Sequence, residues 1–390
     1  MILALQFLFY AFLGIFKIKR LKKYFLFCIL CIPYSNAFQE YFYFLGVYVF
    51  FVFIIAEFIN SRFLKKPSFN SVLKFLFFFF SFLCFYILNS LNINYKIFFK
   101  DIFFILLLII LRFWNDSFFL KSISLIGLTR IIKTAIFINL FFALLFLYSG
   151  ILSKVFDDPF YASQYRFTTL FLYLLPFIIY YRKLLELNYI YIFIIYALCF
   201  IAGSRINFVL VILFHFLSIK SNFKYLFLII FGISLTYLVE FYDDVRILEI
   251  LDLELLSADL TTRFEPFLNI FNDFTLTEHL FGKGPGYGIY IRWFEYRGLD
   301  PYNAYLDSLY LTFYLKYGLL SIAVIFILFK EISGYLANKN HFRIFLLWFL
   351  IISFTNAITY SFVIFGVLLL NKIILNVSIY DKKIKHNFKL

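Results

Sequence analysis

The chain has 390 residues, 64% of them apolar and 25% aromatic, with only 15% charged. A water-soluble domain is usually about 45–50% apolar and about 25% charged, so this composition excludes an ordinary soluble enzyme and calls for lipid as solvent. The net charge of +14 does not point to nucleic acid, because its placement follows membrane topology.

Apolar runs separated by charged punctuation predict the spans in chain order. The first two cover about 2–16 and 24–34 and flank the basic knot Lys17, Lys19, Arg20, Lys22 and Lys23. No basic stretch precedes the first run and no small-residue cleavage site follows it, so no cleavable signal is expected. Cys28 and Cys31 form a CxxC inside the second run and read as small core residues, since no second pair or nearby His completes a zinc set. Spans are predicted next at about 41–58, 75–91 and 102–114, and residues 115–133 read as a basic, amphipathic helix on the cytoplasmic surface. Further spans are expected at 134–152, 168–181, 189–202, 206–219 and 225–241. After a long polar segment come 304–329 and 344–374, the latter folded as two short spans.

Strict alternation of these spans puts 25 of the 36 Lys and Arg on one side, ten on the other and Lys316 within a span. Basic residues are retained on the cytoplasmic side, which fixes the orientation. The fold class expected is therefore an all-α polytopic membrane protein with about 12 (11–13) transmembrane helices and one large extracytoplasmic loop. Three regions follow: an N-terminal transmembrane bundle over 1–241, the periplasmic loop over 242–303, and C-terminal transmembrane helices with a basic cytoplasmic tail over 304–390.

The loop holds eleven of the 22 acidic residues, with Arg246, Arg263, Lys283, Arg292 and Arg297 as its basic ones. A second external stretch, 154–167, contains Arg166, and the tight external turn Gly203-Ser204-Arg205 joins two spans. Arginine presents a planar donor fork that binds diphosphate or carboxylate and stays charged at physiological pH, so Arg166, Arg205, Arg263 and Arg292 are candidate ligands for a lipid-linked diphosphate. The alternative for each is pairing with a loop acid or snorkelling to the interface. The cluster Gly282-Lys283-Gly284-Pro285-Gly286-Tyr287-Gly288 is neither a P-loop nor a dinucleotide fingerprint. It is either a plain turn or a loop whose amides, at Gly284 and Gly286, approach an anionic or sugar ligand.

Asp307 stands at the external start of a span and is a candidate base or a partner for a nearby arginine. His279 is the one external histidine and reads as solvated. No DxD triplet and no metal-ligand spacing occurs, so no metal or other cofactor is expected.

In order, Ala202-Gly203-Ser204-Arg205, Thr262-Arg263-Phe264, Leu280 to Gly288, and Tyr302-Asn303-Ala304-Tyr305-Leu306-Asp307 leading to Tyr317-Gly318-Leu319-Leu320 form a pattern around a single large loop. This pattern resembles the O-antigen polymerase and ligase superfamily, the Wzy-type polysaccharide polymerases and their ligase relatives. The resemblance covers roughly 160–330 by motif. It implies a bacterial inner-membrane glycosyltransferase that moves a glycan from undecaprenyl diphosphate to the non-reducing end of another lipid-linked repeat unit, outside the cytoplasm. Arg205 and Arg263 match family arginines thought to bind the diphosphate, with Asp307 or a loop carboxylate as base. Arg166, Gly284, Gly286, Arg292 and Asn303 join them as substrate-binding candidates. The expected partners are the undecaprenyl-diphosphate-linked oligosaccharide, membrane lipid and a chain-length regulator protein, without nucleic acid. Tyr302 stands where ligases usually carry His, which favours polymerase over ligase. A lipid-linked oligosaccharide flippase or exporter, and a non-catalytic scaffold, are the competing readings.

Overall fold

A computed structural model describes residues 124–148, 167, 169–219, 253–292, 300–336 and 338–357, together with 30–31, 94, 97–98, 100–101, 224, 359, 363–364, 366–374 and 377. The expected spans at 2–16, 41–58, 75–91, 102–114 and 225–241, and Arg166, lie outside the described residues. The described residues are overwhelmingly helical and fall into two compact units.

The first unit draws on residues 1–63, 116–256 and 366–390. Its helices are α1 (Leu125–Tyr148), α2 (Leu170–Tyr180), α3 (Tyr189–Ile201) and α4 (Arg205–Ser218). The last three lie within two residues of the expected boundaries. Helix α1 departs from expectation: it is continuous from Leu125, so the basic residues Arg130 and Lys133 ride on its first turns and do not belong to a separate surface helix. Among the described residues α1 alone is both long and apolar enough to cross a bilayer, with a mean hydropathy of 1.8 over Leu125–Leu145. At 24 residues it spans about 36 Å, whereas α2, α3 and α4, at 11, 13 and 14 residues, reach only about 16–21 Å, short of a hydrocarbon core of about 30 Å.

Helix α2 is apolar all round and buries nine of its eleven residues, so it occupies the centre of this unit. Phe177 meets Phe214 of α4 edge to face at 5.5 Å between ring centres. Residues 366–374 close on the same helix: a Cβ on Gly366 would sit 2.5 Å from Leu170 Cδ2, so glycine is what permits the approach. Asn139 of α1 is fully buried and satisfied three ways. Its amide donates to Leu30 O (3.1 Å) and Ala135 O (2.8 Å), and its carbonyl accepts from the Thr169 hydroxyl (2.7 Å). His215 is bound on both ring nitrogens, by Arg182 Nη1 at 2.7 Å on Nε2 and Tyr196 Oη at 2.8 Å on Nδ1. Guanidinium has no acceptor, so Nε2 must accept and Nδ1 carries the proton.

The second unit draws on residues 64–115 and 257–365. It contains most of α5 (Leu253–Phe271), then α6 (Leu276–Phe281), a two-stranded antiparallel hairpin, and three further helices: α7 (Leu309–Tyr317), α8 (Leu320–Leu336) and α9 (Lys339–Thr355). The hairpin pairs β1 (Ile289–Tyr290) with β2 (Tyr302–Asn303), Ile289 opposite Asn303 and Tyr290 opposite Tyr302. The expected single span 304–329 is broken at Gly318, whose φ of +55° ends α7 before α8 begins. A core of Phe274, Ile289, Ile291, Leu306 and Leu315 joins the loop segment to α7. The described part of the loop, the helices after it, and Asn94, Ile97, Phe98, Lys100 and Asp101 belong to this one unit.

Candidate functional site

In the described part of the long loop, polar residues serve its own helix ends and aromatics pack on each other. Thr275 and Glu278 form a reciprocal capping box that starts α6. Glu278 also pairs with Lys283, whose ammonium lies over the rings of Phe274 (5.4 Å) and Tyr287 (6.0 Å). Partial burial opposes ionisation of Glu278. The Lys283 ammonium and the Thr275 amide and hydroxyl outweigh it and hold the carboxyl below its ordinary range. Burial pushes the Tyr287 phenol up. Phe271 and Phe274 of this segment pack around His279 and Tyr314, and His279 Nδ1 lies 2.8 Å from Tyr314 Oη. His279 is therefore a partly buried, hydrogen-bonded member of an aromatic cluster, not the solvated histidine expected.

The glycine cluster is a clamp on the end of α7. Gly282, Gly284 and Gly286 all have positive φ, at +74°, +89° and +91°. The amides of Lys283 and Gly284 donate to Leu315 O (2.8 Å) and Lys316 O (2.9 Å), capping carbonyls that α7 leaves open at its C-terminus. The Leu319 amide returns a bond to His279 O at 2.9 Å. Gly282 and Gly318 are where the two backbones touch. A Cβ on Gly282 would lie 2.2 Å from Lys316 C, and one on Gly318 would lie 2.5 Å from His279 O. Gly286 is held on its other side by Asn94 and Asp101: its amide donates to Asp101 Oδ2 at 2.6 Å, and its carbonyl accepts from the Asn94 amide at 3.3 Å. Gly284 and Gly286 are buried, and both amides that the sequence offered to a ligand are occupied by protein acceptors.

Asp101 was not singled out by the sequence. It is fully buried, with both carboxylate oxygens 2.5 Å from Lys316 Nζ, and Lys316 is fully buried as well. The signal that could have found it is the acid at the start of an apolar run, 215 residues from a lysine stranded within another.

Arg263 and Asp307 do come together. Arg263 Nη1, near the middle of α5, lies 3.3 Å from Asp307 Oδ2, just ahead of α7, with side chains 27% and 49% exposed. Phe267 and Phe271, one and two turns further along α5, contact Tyr314 of α7, which sets the spacing of the two helices here. Asn303 sits in β2 and its side-chain Oδ1 accepts from the Ala304 amide at 2.8 Å. Arg292 is exposed just after β1. Arg205 belongs to the first unit and is the first residue of α4, half-buried, after Gly203 in the left-handed region (φ +61°). The α4 N-cap, Ser204, makes no side-chain capping bond to the backbone, so Arg205 stands at a helix end whose first-turn amides face outward along the axis. Among the described residues no group of three or more His, Cys, Asp or Glu is placed to hold a metal ion.

Residues 103–387 match a family of unknown function, DUF6369, and the chain belongs to that family. No curated protein and no solved structure matches the chain.

Proposed function

We propose that this protein is a multi-pass enzyme of the bacterial inner membrane that polymerises a surface polysaccharide, O-antigen or capsule. It would transfer glycan from undecaprenyl diphosphate to another lipid-linked repeat unit outside the cytoplasm. The observation that carries the reading is the Arg263–Asp307 pair, a partly exposed guanidinium and a half-exposed carboxylate placed side by side just ahead of α7. Two further observations support it. Large apolar side chains point outward from several helices, among them Phe141 (63% exposed), Phe193 (74%) and Phe326 (68%), the surface a lipid-facing bundle presents. Asn94 and Asp101, which precede one of the expected spans, are in direct contact with the glycine cluster of the loop.

In this reaction the acceptor hydroxyl attacks the anomeric carbon of the donor glycan. A new carbon–oxygen bond forms, and the bond from that carbon to the diphosphate breaks with its electron pair leaving on the phosphate oxygen. Arginine stabilises the charge growing on that oxygen, the role assigned to Arg263. The hydroxyl proton passes to a carboxylate, for which Asp307 is the residue within reach of Arg263. Diphosphate is already a good leaving group, so positioning and charge stabilisation supply the catalysis.

An exporter is the second reading, and the buried Asp101–Lys316 pair is the observation that favours it, since buried charge marks many transport paths. One experiment separates the two: delete the gene, resolve the surface glycan on a gel, and complement with wild type, Arg205→Ala, Arg263→Ala or Asp307→Asn. The polymerase reading expects single-repeat glycan in the null strain and in the arginine variants. Loss of all surface glycan would indicate export, and long chains in the null strain would end the polymerase reading.

A further inference from the structure

The Asp101–Lys316 pair is a fully buried ion pair of the second unit. Both side chains are completely buried, and a buried ion pair contributes little net stability because desolvation cancels most of the attraction. An apolar pair of similar volume would serve the packing equally well. What the apolar pair would not supply is the acceptor for the Gly286 amide, which Asp101 Oδ2 binds at 2.6 Å. Asp101 thus makes three close polar contacts, two to Lys316 Nζ and one to Gly286 N–H. Lys316 in turn sits on α7, and its own carbonyl accepts from Gly284. Two glycine amides, two turns of chain and one ion pair form a closed ring.

We propose that Asp101 and Lys316 are positioning residues: Asp101 pins the glycine loop by accepting from Gly286, and Lys316 neutralises that carboxylate from within α7. The ring locks the register between the segment carrying α6 and the helix that Asp307 precedes. Tyr314 of α7 packs on Phe267 and Phe271 of α5, so the same ring fixes the separation of Arg263 and Asp307. The pinning claim stands on the contacts alone. Its consequence for catalysis rests on the polymerase reading.

The test uses the full chain in detergent and in cells, with three double variants whose recovery is checked by size-exclusion chromatography. Asp101→Asn with Lys316→Gln removes both charges but keeps an acceptor. Asp101→Leu with Lys316→Met removes the acceptor too, and Asp101→Lys with Lys316→Asp keeps opposite charges but takes the acceptor from Gly286. Exchange of amide hydrogen at 282–288 should rise about tenfold or more in the second and third variants, the loss of one hydrogen bond to a charged acceptor, and much less in the first. In complemented cells the Asn/Gln variant should retain long glycan, and the other two should lose it while still folding. Wild-type exchange in the Leu/Met or reversed variant would overturn the pinning. Long glycan from all three would overturn the positioning role. If the null strain itself makes long chains, the polymerase reading falls, and the exchange measurement still decides whether the pair pins the loop.

Discussion

Replacing Gly282 by alanine tests whether the glycine clamp is as tight as its geometry states. The added Cβ would lie 2.2 Å from Lys316 C, 2.3 Å from Tyr317 N and 2.4 Å from Lys316 O, all backbone atoms that no rotamer change can move aside. Gly282 also has φ +74° and ψ −177°, a region essentially reserved to glycine, where another residue costs about 1–3 kcal/mol. Relieving the overlap adds about 1–3 kcal/mol more, so the total is about 2–6 kcal/mol. Two other glycines serve as internal standards. Gly203 has φ +61° but nothing within 4 Å of its would-be Cβ, so alanine there costs only the left-handed backbone, about 1–2 kcal/mol. Gly334 lies inside α8 with ordinary φ and open space, so alanine should stabilise by about 0.5–1 kcal/mol. Thermal unfolding of the three purified variants in one detergent, followed by intrinsic fluorescence, should rank them Gly334→Ala above wild type, then Gly203→Ala, then Gly282→Ala. A Gly282→Ala protein as stable as Gly203→Ala would refute the close approach of this loop to α7.

The Arg263–Asp307 pair is partly solvated, so Asp307→Asn should change stability by less than about 1 kcal/mol while shortening the surface glycan. Arg263→Lys should also shorten it if the planar fork matters, and full-length chains from that variant would assign Arg263 a structural role. The depressed Glu278 carboxyl carries a pH signature. Its contribution is fully present above the unfolded value, near 4.3, and is lost as pH falls through the lower folded value. The stability difference between wild type and Glu278→Gln should therefore shrink as pH drops from neutral toward the acid range, and a pH-independent difference would show that Lys283 does not favour the ionised form. Asn139→Leu should cost about 1–2 kcal/mol, because the Thr169 hydroxyl and Leu30 carbonyl lose a buried partner together.

Much of the helical placement was legible because apolar runs and charged punctuation are local signals. Helices α2, α3 and α4 lie where the runs at 168–181, 189–202 and 206–219 put them. By hydropathy Gly318 is one residue of a span, yet its positive φ and the crowding against His279 and Leu280 end α7 there. Arg130 and Lys133 mark a surface helix by charge, yet charged residues at the end of a long apolar helix can remain part of it, as Lys133 does over the Tyr191 ring at 5.3 Å.

The site divides along the same line. Arg263 and Asp307 could each be nominated from residue type and topology, and pairing with a nearby arginine was one of the two roles open to Asp307. Which arginine it meets depends on α5 and α7 packing through Phe267, Phe271 and Tyr314, a tertiary fact with no local signal. The glycines show the reverse. Their spacing announced an unusual backbone, and the positive φ angles are there, but spacing alone does not say whether the freed amides serve a ligand or the protein. In the structure the acceptor for the Gly286 amide is Asp101, far away in sequence. Its carboxylate takes the Gly286 amide, while the open carbonyls of α7 take those of Lys283 and Gly284. A ligand that took the Gly286 amide would first have to displace it from Asp101 Oδ2, whose contacts to Lys316 are separate.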